Sequence, residues 1–448
     1  MPTFEEKELA ILREAVDKSE KLTGRKMAQS KEIKDIIQIV EDFLRRKRLI
    51  CYGGTAINNI LPVQDQFYNK NVEIPDYDFF SSNALDDAKE LADIYVKAGY
   101  EDVEAKAGVH NGTFKVFVNF IPVADITSLT SELFRAIQKE VIKVNGIAYA
   151  PANYLRMAMY LELSRPDGDV SRWEKVLKRL ILLNKNYPMR NPRCDSVSFQ
   201  RMFEEHGDEK TTEVFHLLRD ALVDQGVVFF GGYATMLYSR YMPTKHRRML
   251  NNNPDFDVLS EDPETAATII VERLHDADIK KVKFQKRDGV GEIIAPHYEI
   301  TVGKDTVCFI YKPLACHSYN TIKIGRSIVK VASIDTMLSF YLAFIYAKRP
   351  YYDVERIICM AQYLFQVQSK NRLSQKGLLK RFSINCYGKQ PTMEDIRAEK
   401  AKKYDELKGK RNTREFDEYF LRYAPGEKKQ TKKQIKKKKK KTKKTGWL

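Results

Sequence analysis

Asp76 and Asp78 lie two residues apart in the run Ile74-Pro-Asp-Tyr-Asp-Phe-Phe-Ser81. The alternation predicts a strand over 74–80, with both carboxylates on one face and Tyr77 and Phe79 packed on the other. Two carboxylates so placed suit hard divalent cations held through oxygen. Twenty-one residues separate Asp76 from Gly54, the second member of a glycine pair in Leu49-Ile-Cys-Tyr-Gly-Gly-Thr-Ala-Ile-Asn-Asn-Ile-Leu61. Leu49–Tyr52 reads as a short buried strand and Thr55–Leu61 as a short helix, which puts Gly53 and Gly54 at the turn between them. Lacking Cβ atoms, they let a phosphate approach the backbone, with the N–H groups of the helix start aimed at it. Either half alone is common at turns and surfaces; the signal is their combination and order.

A third carboxylate follows. Asn111-Gly112 marks a hairpin turn, after which come Thr113–Val118 and Phe120–Thr127. Asp125 interrupts the second of these otherwise apolar runs. A carboxylate there is costly to bury unless it pairs, caps a turn or binds metal. With Asp76 and Asp78 already placed, metal ligand and general base is the favoured role.

The elements that must position these groups can be read in order. A helix is expected over Phe4–Leu22. A second, N-capped by Ser30, carries Ile33, Ile36, Ile37, Val40, Phe43 and Leu44 at helical spacing. Pro62–Glu73 is an inserted loop. Ala84–Ala98 reads as a helix closed by Gly99. Asn153–Leu163 and Arg172–Leu183 read as helices broken at Arg165-Pro-Asp-Gly168. Arg172, Lys175 and Arg179 line one face of the second. Lys175 is the expected triphosphate ligand, the alternative being a solvated helix face. Asn186–Ser198 reads as linker.

The pattern then returns. Gly226-Val-Val-Phe-Phe-Gly-Gly-Tyr-Ala-Thr-Met-Leu echoes the first glycine turn, and Asn253-Pro-Asp-Phe-Asp-Val-Leu-Ser260 echoes the aspartate run. The spacer is twenty-two residues between Gly232 and Asp255. A whole-domain duplication is expected. Counting from His297 as from His110 reaches Lys312, so the second copy is expected to lack the third carboxylate; Asp305 lies too early on its strand. His110 and His297 are expected to order turns. The domains are then 1–29 extension, 30–185 active domain with following helices, 186–218 linker, 219–385 degenerate second domain, 386–425 charged helical segment and 426–448 disordered lysine-rich tail.

Composition fits this. The chain has 448 residues, 43% hydrophobic and 31% charged, as globular domains have. Six scattered cysteines read as reduced thiols. No apolar run is long enough for a membrane span, and the charged N-terminus lacks a signal-peptide core, so an intracellular location is expected. Net charge is +17. Gly426–Leu448 holds twelve lysines and one glutamate, giving +11 and leaving +6 for the body. A polyanionic partner, nucleic acid most simply, is implied; a solvated end aiding solubility or nuclear import is the plainer reading of the tail.

The glycine turn followed by Asp-x-Asp resembles the signature of the polymerase-beta-like nucleotidyltransferase superfamily, with a longer spacer than its compact form. With the duplication, Tyr-Gly-Gly-x-Ala-Ile, Pro-Asp-x-Asp-Phe-Phe-Ser, Pro122-Val-Ala-Asp-Ile126 and Ser171-Arg-Trp-Glu-Lys175, the chain resembles the catalytic subunit of poly(A) polymerase from large nucleocytoplasmic DNA viruses over roughly residues 30–385. That resemblance implies two tandem nucleotidyltransferase-like domains of α+β or α/β class with mixed sheets, each followed by helices. It implies template-independent addition of AMP from ATP to the 3′ end of mRNA. Asp76, Asp78 and Asp125 would hold two Mg²⁺ or Mn²⁺ ions, and Gly53, Gly54, Thr55 and Lys175 would bind the nucleotide. The partners implied are an RNA 3′ end and either a second copy or a processivity subunit, with no membrane. A viral protein would act in host cytoplasm or virion, the tail leaving the nucleus open. Rival expectations are a uridylyl-adding enzyme or second-messenger synthase with the same motif, and a non-catalytic RNA-binding scaffold. The lysine tail lies outside the resemblance.

Overall fold

The computed structural model describes residues 3–28, 30–69, 74–189, 194, 197, 199, 208–242, 247 and 254–425. The tail at 426–448 lies outside the described residues. The helical periodicities of the N-terminus are realised as α1 (Phe4–Ala28) and α2 (Lys31–Lys47). Ser30 Oγ accepts the Ile33 N–H at 3.2 Å, the expected N-cap. Ile33, Ile36, Val40, Phe43 and Leu44 form the buried stripe of α2.

Strand β1 (Ile50–Cys51) leads into α3 (Gly53–Ile60). Then come β2 (Tyr77–Ser81), α4 (Ala84–Lys97), β3 (Val103–Ala107), β4 (Thr113–Val118), β5 (Ile121–Ser128), α5 (Ser131–Gln138), β6 (Ile142–Val144), β7 (Ile147–Tyr149), α6 (Ala152–Leu163) and α7 (Trp173–Asn186). The second half gives α8 (Asp208–Asp224), β8 (Val228–Phe230), α9 (Gly231–Tyr238), β9 (Phe256–Leu259), α10 (Pro263–Asp276), β10 (Val282–Arg287), β11 (His297–Val302), β12 (Asp305–Tyr311), β13 (His317–Ile324) and β14 (Ser327–Ala332). The described chain closes with α11 (Ile334–Ala347), α12 (Val354–Lys370), β15 (Cys386–Tyr387), α13 (Met393–Leu407), α14 (Arg414–Phe420) and β16 (Arg422–Tyr423).

The duplication is explicit in the sheets. The first has the order β16-β3-β4-β5-β2-β1-β7-β6 and the second β10-β11-β12-β9-β8-β14-β13-β15. Within each sheet β1·β2 and β8·β9 pair antiparallel, while β2·β5, β1·β7, β9·β12 and β8·β14 pair parallel. Helices α2 and α4 cover one face of the first sheet, and α10 packs against the second. The two halves meet where α11, buried along its whole length, packs on α6. Tyr154 and Tyr346 meet there edge to face at 5.3 Å. Among the described residues no helix is long and apolar enough to cross a membrane.

Three expectations are corrected. Helix α8 begins at Asp208, inside the stretch expected to be linker. The segment after residue 385 is not purely helical: β15 joins the second sheet, whereas β16 returns to the first as a partner of β3. Lys89–Asp417 (2.6 Å) and Arg414–Asp86 (2.8 Å) ion pairs fasten that return. Four of the six cysteines form disulfides, Cys194–Cys359 and Cys316–Cys386, leaving Cys51 and Cys308 as buried thiols. The partners are 165 and 70 residues apart in sequence, so only the fold brings them together.

Candidate active site

The glycine turn forms as read, with one refinement: α3 starts at Gly53 itself, not at Thr55. Gly53 takes φ +73°, a backbone that L side chains rarely adopt. A Cβ there would lie 2.6 Å from Asp78 Oδ2. Tyr52 N donates to Asp78 O at 2.8 Å, locking the turn to β2. Thr55 is buried, and its hydroxyl donates to Asp76 O at 2.6 Å. That hydroxyl therefore fixes the start of the aspartate strand.

Asp76 lies just before β2, and Asp78 within it. Across the parallel β2·β5 pair Asp78 sits opposite Asp125, so the sheet register itself gathers the carboxylates. Lys115, opposite Asp125 on β4, forms a short ion pair with Asp125 Oδ2. Asp125 Oδ1 is buried and has no hydrogen-bond partner among the described residues. Desolvation pushes the Asp78 carboxyl up to about 7, helped by the charges of Asp76 and Asp125 and opposed by Lys115 and Arg172. Desolvation also raises Asp76, with Asp125 adding to it, although the residue as a whole is exposed. Mutual repulsion, raised proton affinity and an orphaned buried carboxylate oxygen are what a divalent cation would relieve. The residues fit such ions.

Tyr52 underlies the group. Its ring stacks on Phe80 at 3.9 Å, its hydroxyl meets Thr127 Oγ1 at 2.9 Å, and burial beside Asp78 and Asp125 raises its pKa.

The inserted loop has a visible purpose. Asn58 of α3 is buried, and its Oδ1 accepts the N–H groups of Phe67 and Tyr68, each at 2.8 Å. Asp65 holds the loop to α7 through Lys185 at 2.7 Å and Asn186 at 2.9 Å. Tyr68 OH then accepts from Arg179 at 2.6 Å, with the guanidinium 4.9 Å from the Phe67 ring centroid. A Cβ on Gly54 would fall 2.5 Å from Tyr68 OH and 3.0 Å from both terminal guanidinium nitrogens of Arg179. The cation brought to the turn is thus buried Arg179, not Lys175. Lys175 is exposed and makes no ion pair among the described residues. Arg172 pairs with Glu162 at 3.1 Å and acts on Asp78 through its charge. Asn58, Tyr68 and Lys115 were missed in the sequence; only the loop's length hinted at the first two.

The second glycine turn is built alike and filled differently. Asp255 and Asp257 are buried, and Asp257 lies opposite Phe309 on β12. The third position is therefore Phe309, not the Lys312 reached by counting. His110 lies in the turn before β4, but His297 is the first residue of β11, which shifts the count by three. His297 bridges Ala295 O and Tyr351 OH, both at 3.1 Å, and burial lowers its pKa to about 4. The space beside Gly232, Asp255 and Asp257 is about 20 Å³, closed by Tyr341, Arg356 and Met360. That admits about one water and no nucleotide.

A glycine turn, an Asp-x-Asp strand and a third aspartate on the adjoining parallel strand thus stand together in the first sheet. Residues 38–169, a span that holds Gly53, Gly54, Asp76, Asp78 and Asp125, match the family model described as the poly(A) polymerase catalytic subunit. A protein of African swine fever virus named as a poly(A) polymerase catalytic subunit is 32% identical over 180 residues, 39% of this chain and 38% of that protein. One of Acanthamoeba polyphaga mimivirus with the same name is 31% identical over 162 residues, 35% of this chain and 27% of that protein. The matches thus span well under half the length of these curated relatives. The fold of the whole chain is that of the Megavirus polyadenylate synthase crystal structure, at TM-score 0.79 and 18% identity, covering 100% of this chain and 91% of that one.

Proposed function

We propose that the protein is a template-independent polynucleotide adenylyltransferase, adding AMP from ATP to an RNA 3′ end at the first sheet. The single observation that carries this reading is the convergence of Asp78, Asp125 and the Gly53 turn. The relatives' names support the choice of adenylate and RNA.

Asp76, Asp78 and Asp125 would hold Mg²⁺ or Mn²⁺, which supplies activation of the 3′-hydroxyl and neutralisation of charge on the leaving pyrophosphate. The chain's own groups do the rest. Gly53 packs against Asp78 and Gly54 against Tyr68 and Arg179, and the first N–H groups of α3 donate to the phosphate oxygens. Arg179, held by Tyr68, places a fixed guanidinium at that phosphate. Asp125 Oδ1 orients the attacking hydroxyl and accepts its proton. Lys115, paired with Asp125, would share that carboxylate with the ions. The second domain is a support, its aspartates enclosed and its third position apolar. The words "catalytic subunit" in the relatives' names fit operation beside a second subunit.

Extension of a labelled oligo(A) RNA with each NTP singly tests the reading. Ladders with ATP and divalent metal are expected; ladders with UTP alone would keep the site chemistry and replace the substrate.

A further inference from the structure

The uncovered face of the first sheet carries a line of cations that the proposed chemistry leaves unused. Asp78 lies opposite Asp125, Asp125 opposite Lys115, Lys115 opposite Lys106, and Lys106 opposite Arg422 of β16. Register partners project to the same face, so these five side chains form one row across the strands. Adjacent strands lie ~4.8 Å apart, which sets Arg422 roughly 14 Å from Asp125. Lys106 lies 4.0 Å over the Phe117 ring and 3.4 Å from Glu104. Arg422 is exposed and has no ion pair among the described residues. The same row of the second sheet reads Asp257, Phe309, Glu299, Gln285 and holds no cation.

Beyond Lys106 the row opens into a groove of about 970 Å³ whose lining includes Phe117, Phe120, Arg422 and Pro425. Phe120 is 85% exposed. It and Asn119 take φ +65° and +49° at the tip of the β4–β5 hairpin, a turn that favours Asn-Gly. A phenylalanine there is both strained and offered to solvent, as a ring kept for a flat ligand would be. Glu101, Asp102 and Glu104 line the same groove, Glu104 as the ion-pair partner of Lys106. At Pro425 the chain passes into the segment with twelve lysines.

We propose that this row is the track of the RNA strand behind its 3′ end, with phosphates on Lys106 and Arg422 and a base stacked on Phe120. The proposal rests on the reading of Asp76, Asp78 and Asp125 as the point of extension.

The test is binding of fluorescent oligo(A) to the full-length protein over a KCl series, with extension by ATP measured in parallel. Lys106→Glu/Arg422→Glu is expected to weaken binding about tenfold or more. It should also flatten the slope of log K against log salt by about 1.4, about 0.7 for each lost phosphate contact. Phe120→Gly removes the backbone strain, so it should keep or raise Tm while weakening binding about tenfold. Lys106→Gln/Arg422→Gln gives a readable, smaller loss should charge reversal loosen the edge strand. Variants that bind and extend as wild type does would overturn the track and leave the adenylyltransferase reading standing. Row-dependent binding by a wild type that extends nothing would sustain the track and overturn that reading. A wild type that neither binds nor extends overturns both.

Discussion

The two sheets of this chain share strand order, strand direction and glycine turn, yet only one gathers three carboxylates. In the first, Asp78 faces Asp125 across β2·β5 and Gly54 faces Arg179. In the second, Asp257 faces Phe309, and Gly232 would carry a Cβ 2.7 Å from Asp255 Oδ1. The lesson is that the turn and the paired aspartates are a scaffold. What makes them a site is the residue on the neighbouring strand, Asp125 in the first sheet and Phe309 in the second.

The comparison breaks most visibly at the third position. Asp125→Asn should lower ATP incorporation by about 10²- to 10⁴-fold, since it removes both ligand charge and proton acceptor. In a protein whose first site is silenced, Phe309→Asp should confer no activity on the second, because the space beside Asp257 stays closed; incorporation assays on purified variants read both. Next in size is the cation. Arg179→Ala should raise the KM for ATP about tenfold to a hundredfold, the scale of a charge-assisted hydrogen bond, whereas Lys175→Ala should change it little. Equal effects would return Lys175 to the site. Gly53→Ala follows, with about tenfold loss of kcat expected as its Cβ displaces Asp78.

The smallest effect is on stability. The Asp78 pKa is raised above its unfolded value, so the folded metal-free protein binds the extra proton more tightly. That stabilisation is full below about pH 4 and is lost as pH rises through about 7. The Tm without metal should therefore fall from pH 5 to pH 8. Mg²⁺ should recover more of it at pH 8, and Asp78→Asn should flatten the slope.

Much of this was legible in the sequence because it is local. The glycine pair, Asp-x-Asp and their recurrence lie within short windows whose periodicity fixes strand, turn and helix. Asp125 stood out as a charge in an apolar run. What was not legible depends on register and packing. A helix face offered Arg172, Lys175 and Arg179 alike, and only the inserted loop, pinned by Asn58, selects Arg179. Counting from histidines failed because His110 and His297 occupy different places relative to their strands. Lys115 gave no signal, being an ordinary strand lysine until β4 pairs with β5. The disulfides and the return of β16 to the first sheet join residues far apart in sequence, beyond any local pattern.

The most direct measurement compares the two sheets in one assay, with labelled oligo(A), ATP and Mg²⁺ or Mn²⁺. Asp76→Ala/Asp78→Ala should abolish the ladder, while Asp255→Asn/Asp257→Asn, folded as judged by its melt, should keep it. A ladder that survives the first pair of substitutions and vanishes with the second would contradict the assignment of chemistry to the first sheet.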